Sequence, residues 1–213
     1  MKVSTPDTRC ALIAVDVQNG FAPGGNLAVP NGDEVVPVIN RLAPAFRNIV
    51  ITQDWHPAGH VSFASSHAGK QPFDTIEVAY GPQVLWPDHC IQGSEDAALH
   101  ADLDLPTAQL VIRKGYRREI DSYSAFEEAD HRTGTGLTGY LRERDIDTVY
   151  IVGLATDYCV AWTAMDARKF GFAAVVIEDA TRGIDIQGSM TLAWSRMQAC
   201  GVERITSNRI GGV

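Results

Sequence analysis

The stretch VYIVGLATDYCVAWTAMDARKFG (149–171) decides the architecture. Its first four residues are apolar and rich in Val and Ile, with no polar alternation. Such runs form strands buried on both faces, as in a parallel sheet. A polar loop follows, then a helical stretch at 157–170 that Gly171 stops, as a helix C-terminus requires. The pattern is strand, loop, helix. Working outward, four more runs of the same kind lie at 11–15, 48–52, 110–112 and 174–177, with a weaker sixth at 202–206. Further helices are expected at 33–46, 135–144 and 187–199. In the first, Val35, Val36, Ile39, Leu42 and Phe46 fall near helical spacing, and Pro37 sits in the opening turn, where its missing N–H does little harm. Strand alternating with helix predicts right-handed βαβ units in a three-layer α/β/α sandwich around a mostly parallel sheet of about six strands. The length, 213 residues, fits a single domain over 1–213.

Composition narrows the function classes. The formal charge is −8, from 18 basic and 26 acidic residues. No basic cluster offsets it, so no nucleic-acid partner is expected. No apolar run approaches the roughly 20 residues of a membrane span, so no membrane partner is expected. Residues 1–9 are polar and lack the apolar core of a signal peptide. Cys10, Cys90, Cys159 and Cys200 form no Cys-x-x-Cys pair, which argues against a zinc knuckle or a disulfide frame. A cytoplasmic, reducing setting is the expectation, and it suits a working thiol. Residues 55–104 show no convincing apolar periodicity. A loop that long inside a compact domain is usually functional.

Ligands in open α/β sheets bind beyond the carboxyl ends of the strands. The residues that end the runs are therefore the informative ones. The first ends in Asp16, the second runs through Gln53 to Asp54, and the third ends in Arg113-Lys114. The fourth leads through Thr156 and Asp157 to Cys159. An acid, a second acid, a lysine and a thiol should share one rim. Thr156 or Asp157 is expected to cap the following helix. Cys159 then lies in its first turn, where the helix dipole and a lysine depress a thiol pKa. A carboxylate can take the thiol proton and return it to a leaving amine. Cys10, Cys90 and Cys200 read as small packing residues.

A second constellation is Asp54-Trp55-His56-Pro57-Ala58-Gly59-His60, with Trp86-Pro87-Asp88-His89 downstream. Asp and His two apart on an extended segment point the same way. His60 or His89 completes an Asp/His/His set. Such oxygen and nitrogen donors suit zinc, iron or manganese without choosing among them. Phe21, Trp86 and Tyr123 lie near these polar groups and offer flat walls for a planar ring. Trp55 and Phe63 read as core.

Six segments carry a resemblance: ALIAVDVQNGFAPGGNL (11–27), TQDWHPAGHVSFAS (52–65), LWPDHC (85–90), IRKG (112–115), EIDSYSAF (119–126) and GLATDYCV (153–160). Together they resemble the nicotinamidase branch of the isochorismatase-like cysteine hydrolases, over nearly the whole chain. The resemblance implies hydrolysis of nicotinamide, and of pyrazinamide, to the acid and ammonia through a cysteine thioester, as a step of NAD salvage. It implies Asp16 as general base, Lys114 as cationic partner and Cys159 as nucleophile. It implies one divalent metal, zinc foremost, held by Asp54, His56 and His89. His60 matches a position that is a ligand in some members and not in others, and Ser62 one that touches the metal through water. The oxyanion hole it implies uses the backbone N–H groups of Ala155 and Cys159, with a cis peptide before Ala155. Phe21, Trp86 and Tyr123 wall the ring, and a homo-oligomer is expected. The alternatives are another cysteine amidase or isochorismatase-type hydrolase on this fold, or a catalytically silent metal- or ligand-binding relative.

Overall fold

Every neighbour in the main sheet is parallel. In the computed structural model, which describes residues 5–211, the strands are β1 (Cys10–Val15), β2 (Asn48–Asp54), β5 (Leu110–Lys114), β6 (Thr148–Leu154), β7 (Ala173–Arg182) and β8 (Glu203–Ile205). Residues 1–4 and 212–213 lie outside that range, including part of the polar segment 1–9. The order across the sheet is β5-β2-β1-β6-β7-β8. The chain thus runs from β1 toward one edge and then from β6 toward the other. The crevice where the order reverses, between β1 and β6, is where such sheets bind ligands.

The absence of alternation in β1 has a direct cause. Cys10, Leu12 and Ala14 pack on one face, and Ala11, Ile13 and Val15 on the other. α1 (Val35–Leu42) covers the first face through Val35, Val36, Ile39 and Leu42. α2 (Leu137–Arg142), α3 (Ala161–Lys169) and α4 (Ser189–Ala199) cover the second. Two apolar layers on one sheet complete the three-layer sandwich.

Three expectations are corrected. The helix expected over 33–46 is α-helical only across α1, with short 3₁₀ turns at Gly32–Glu34 and Ala43–Ala45. The helix after β6 begins with a π turn, Thr156–Val160, and no side chain caps it. The Asp157 carboxylate instead accepts the amides of Ile184 and Asp185 and the Ser189 hydroxyl. Third, the long irregular stretch contains a hairpin, β3 (Thr75–Val78) and β4 (Gly81–Val84), apart from the main sheet. Phe63 is fully buried as expected, whereas Trp55 is half-buried under the Arg113 guanidinium, and Cys200 is exposed. Among the described residues, no helix is long and apolar enough to cross a membrane.

Candidate active site

Four neighbouring strands each deliver one group to the rim. Lys114 ends β5, Asp54 ends β2, Asp16 follows β1 and Cys159 follows β6. Close approach of β6 to β1 depends on Gly153, where a side-chain carbon would stand 2.1 Å from the Val15 carbonyl oxygen.

Lys114 is fully buried and ties the groups together. Its Nζ pairs with Asp16 Oδ2 at 2.9 Å and with Asp54 Oδ1, donates to the Ser122 carbonyl at 3.0 Å, and reaches Cys159 Sγ at 3.4 Å. The two carboxylates are driven apart in acidity. Burial pushes Asp16 up, and the Lys114 cation offsets this only in part. Burial acts on Asp54 in the same sense, but Lys114 and then His56 outweigh it and hold Asp54 well below the ordinary range. A pair split this way separates an acid that exchanges protons from one that stays ionised. Lys114 itself is held charged by both carboxylates, despite its burial.

The lowering expected of the Cys159 pKa is opposed by its surroundings. Burial pushes the Cys159 thiol well up, the Lys114 cation offsets this incompletely, and Asp16 and Asp54 push it further. A thiol in that setting needs a base beside it to take its proton. Asp16 is placed to take it: Asp16, Asp54 and Cys159 bring their reactive atoms within 4.8 Å of one another.

Sequence reasoning missed two residues that hold these acids. The Thr52 hydroxyl donates to Asp16 Oδ1 at 2.6 Å and accepts the Asp16 amide at 3.1 Å. Gln18, also fully buried, accepts the Asp54 amide and donates to the Asp54 carbonyl. The available signal was a polar side chain inside or beside an apolar run, at 52 and at 18.

Beside the thiol, Asp54, His56 and His89 converge. His56 Nδ1 donates to the Gly115 carbonyl at 2.9 Å and His89 Nδ1 to the Pro87 carbonyl at 2.8 Å. Carbonyls only accept, so each Nδ1 carries a proton, and a neutral ring keeps its lone pair on Nε2; burial lowers the His56 pKa, but the Asp54 carboxylate outweighs this and raises it. The two Nε2 atoms face Asp54 Oδ2 at 3.6 and 3.8 Å. With both rings neutral, three acceptor atoms converge there, an arrangement that a cation would satisfy. Donor atoms about 2.0–2.2 Å from a shared ion at a tetrahedral angle would stand roughly 3.3–3.6 Å apart, close to these separations. The residues present therefore fit a divalent metal. Gly115 is needed here, because a side-chain carbon on it would lie 2.4 Å from His56 Cε1.

His60 stacks on His56 but is otherwise committed. Its Nε2 faces the Arg117 and Ile120 carbonyls, and its Nδ1 accepts from the Ser62 hydroxyl at 2.8 Å. Burial and the neighbouring His56 bring its pKa down to about 4. In this structure His60 therefore stands behind the trio as a neutral neighbour. The Ser62 hydroxyl gives its proton to that bond and keeps its acceptor lone pairs.

A small pocket joins the thiol to the histidines. Phe21, Trp86 and Tyr123 line it, as do Ala155 and the unforeseen Tyr158 and Asp121. The Trp86 and Tyr158 rings meet edge to face at 4.8 Å, and Trp86 and Tyr123 at 6.3 Å. The peptide between Leu154 and Ala155 is cis.

Residues 10–209 match the Isochorismatase domain family. The chain is 67% identical to a nicotinamidase of Acinetobacter baylyi over 94% of each protein. Among solved structures, it is similar to the PnC1 protein of L. infantum in complex with nicotinate, at 39% identity and a TM-score of 0.84 over 99% and 98% of the two chains. It is also similar to a pyrazinamidase of Pyrococcus horikoshii in complex with zinc, at 34% identity and a TM-score of 0.76 over 93% and 99%.

Proposed function

This chain belongs to the isochorismatase family, and from that membership we propose that it works through Cys159 as nucleophile, Asp16 as proton shuttle and Lys114 as their shared cation. It is an amidohydrolase that converts nicotinamide to nicotinate and ammonia. The observation that carries the residue roles is the single buried ammonium of Lys114, set against Asp16, Asp54 and Cys159 at once.

The steps follow from that placement. Cys159 Sγ attacks the carboxamide carbon while its proton passes to Asp16. Backbone N–H groups of Ala155 and Cys159 take the developing oxyanion. The C–N bond breaks, Asp16 returns the proton to the departing nitrogen, and ammonia leaves a thioester. Water then attacks the thioester carbon, its proton goes to Asp16, and the carboxylate is released as Cys159 regains a proton. The raised pKa of Asp16 suits a group that must both take and give a proton. Phe21, Trp86 and Tyr123 hold the ring flat.

Asp54, His56 and His89 would hold one divalent ion, zinc foremost, with iron and manganese as alternatives. When bound, it supplies Lewis-acid chemistry suited to a pyridine nitrogen. Pyrazinamide, which keeps a ring nitrogen and the carboxamide, is proposed as a second substrate, and a homo-oligomer in the cytoplasm, serving NAD salvage, as the setting.

The test is ammonia release from nicotinamide by purified protein, with chelator and after zinc, iron or manganese is restored. Metal-dependent release is expected. No release under any metal would move the assignment to a sibling amidase of the same fold.

A further inference from the structure

We propose that Gln83 is a positioning residue for the aromatic wall, through which the small β3–β4 hairpin sets how tightly the planar substrate is held. The inference rests on reading Trp86 and Tyr123 as that wall. Gln83 ends no main-sheet strand and touches no reacting group. It is nevertheless 1% exposed, and its carboxamide is turned into a polar knot. Its Oε1 accepts from the Tyr80 hydroxyl at 2.8 Å. Its Nε2 reaches Asp121 Oδ2 at 2.8 Å, the Val84 carbonyl at 2.7 Å and the Tyr123 hydroxyl at 3.2 Å. Asp121 and Tyr123 both line the catalytic cavity.

The Tyr123 hydroxyl is also the acceptor for Trp86 Nε1, at 3.1 Å. An indole N–H can only donate. One phenol oxygen thus ties two rings, and Gln83 Nε2, whose two hydrogens are shared among Asp121, the Val84 carbonyl and this oxygen, is the second donor facing it. The Tyr123 ring also packs against Tyr158 and stacks on Trp162. On that side it borders a second cleft, lined also by Trp162 and Glu127. A tyrosine released at its tip has room to turn that way, and Trp86 would lose its acceptor. The wall touches the ring and not the carboxamide, so its loss weakens substrate and transition state alike. Uniform losses of that kind appear in KM and leave kcat in place.

The experiment is steady-state kinetics of the metal-loaded protein carrying Gln83→Leu, which keeps volume and removes the hydrogen bonds. KM for nicotinamide should rise about tenfold, the scale of one or two lost buried hydrogen bonds, with kcat within about twofold. In a Tyr123→Phe background the same substitution should raise KM by less than about threefold, because the shared oxygen is already gone. Tyr80→Phe, which frees only Gln83 Oε1, should shift KM in the same direction by a smaller factor. A folded Gln83→Leu protein with unchanged KM, a fall in kcat at constant KM, or full additivity with Tyr123→Phe would overturn the proposal. Should Gln83→Leu not fold, an unchanged KM in Tyr80→Phe would do the same. A wild-type protein inert toward nicotinamide would instead sink the functional reading, leaving the two failures distinct.

Discussion

Replacing Lys114 with Met keeps a long, flexible stem in the same space and deletes only the charge. In the native protein that ammonium stands 2.9 Å from Asp16 Oδ2 and also pairs with Asp54, with no exposure to solvent. At that distance one ion pair is worth roughly 6 kcal/mol in a medium of effective dielectric about 20, before the desolvation of the lysine is returned. Removing one partner of a buried pair costs about 3–5 kcal/mol in practice. The variant leaves two carboxylates buried together, so both should bind protons more tightly than in the unfolded chain. A carboxyl raised in the folded state contributes stability at low pH and loses it as pH rises through the folded value. Native Asp54 behaves oppositely, being held low, and its contribution is lost as pH falls. The stability gap between wild type and Lys114→Met should therefore widen as pH rises from about 5 to 8, reaching about 3 kcal/mol or more at the upper end. Urea unfolding of both proteins at several pH values, with metal removed, measures it. A gap under about 1 kcal/mol, or one flat across that range, would refute the view that Lys114 is the charge balance of this site.

Other outcomes are expected of single substitutions. Cys159→Ala should reduce ammonia release to background while metal content, read by elemental analysis, stays at the wild-type level; substantial residual turnover would remove it as nucleophile. His89→Ala should lower metal affinity by at least about tenfold, and unchanged occupancy in a metal titration would take His89 out of the ligand set. Thr52→Val deletes the 2.6 Å hydrogen bond that restrains Asp16. Because burial raises Asp16 and that bond lowers it, the acidic limb of kcat/KM should move to higher pH. An unmoved limb would argue that Asp16 is not the base that the profile reports.

Much of this site was legible because the fold class converts strand ends into neighbours. Once 11–15, 48–52, 110–112 and 149–152 read as parallel strands, Asp16, Asp54, Lys114 and Cys159 had to share an edge, and they do. What escaped depends on three-dimensional contact that no periodicity encodes. Gln18 and Thr52 look like imperfections beside apolar runs until their partners are seen. The hairpin at Thr75–Val78 and Gly81–Val84 alternates weakly, and its strands lie outside the sheet that organises everything else. The lowering expected of the Cys159 pKa is opposed for a different reason. A helix start and a lysine both favour the anion, but a fully buried sulfur flanked by two carboxylates meets a desolvation cost that sequence cannot weigh. His60 is a different case: its spacing suits a ligand, and in the structure its Nε2 faces the carbonyls of Arg117 and Ile120 while its ring lies beside His56 and Asp121.

The order β5-β2-β1-β6 has one more consequence. Lys114, Asp54, Asp16 and Cys159 are contributed one per strand by four strands in a row. Slipping any strand by a single residue turns its side chains to the opposite face. A slip in β5 would offer Arg113 where Lys114 belongs, and a slip in β2 would offer Gln53 for Asp54. No fragment of the chain can retain part of the chemistry, and no misregistered sheet can imitate it. Turnover works as a checksum on the fold: a molecule that releases ammonia has, by that fact, aligned all four strands.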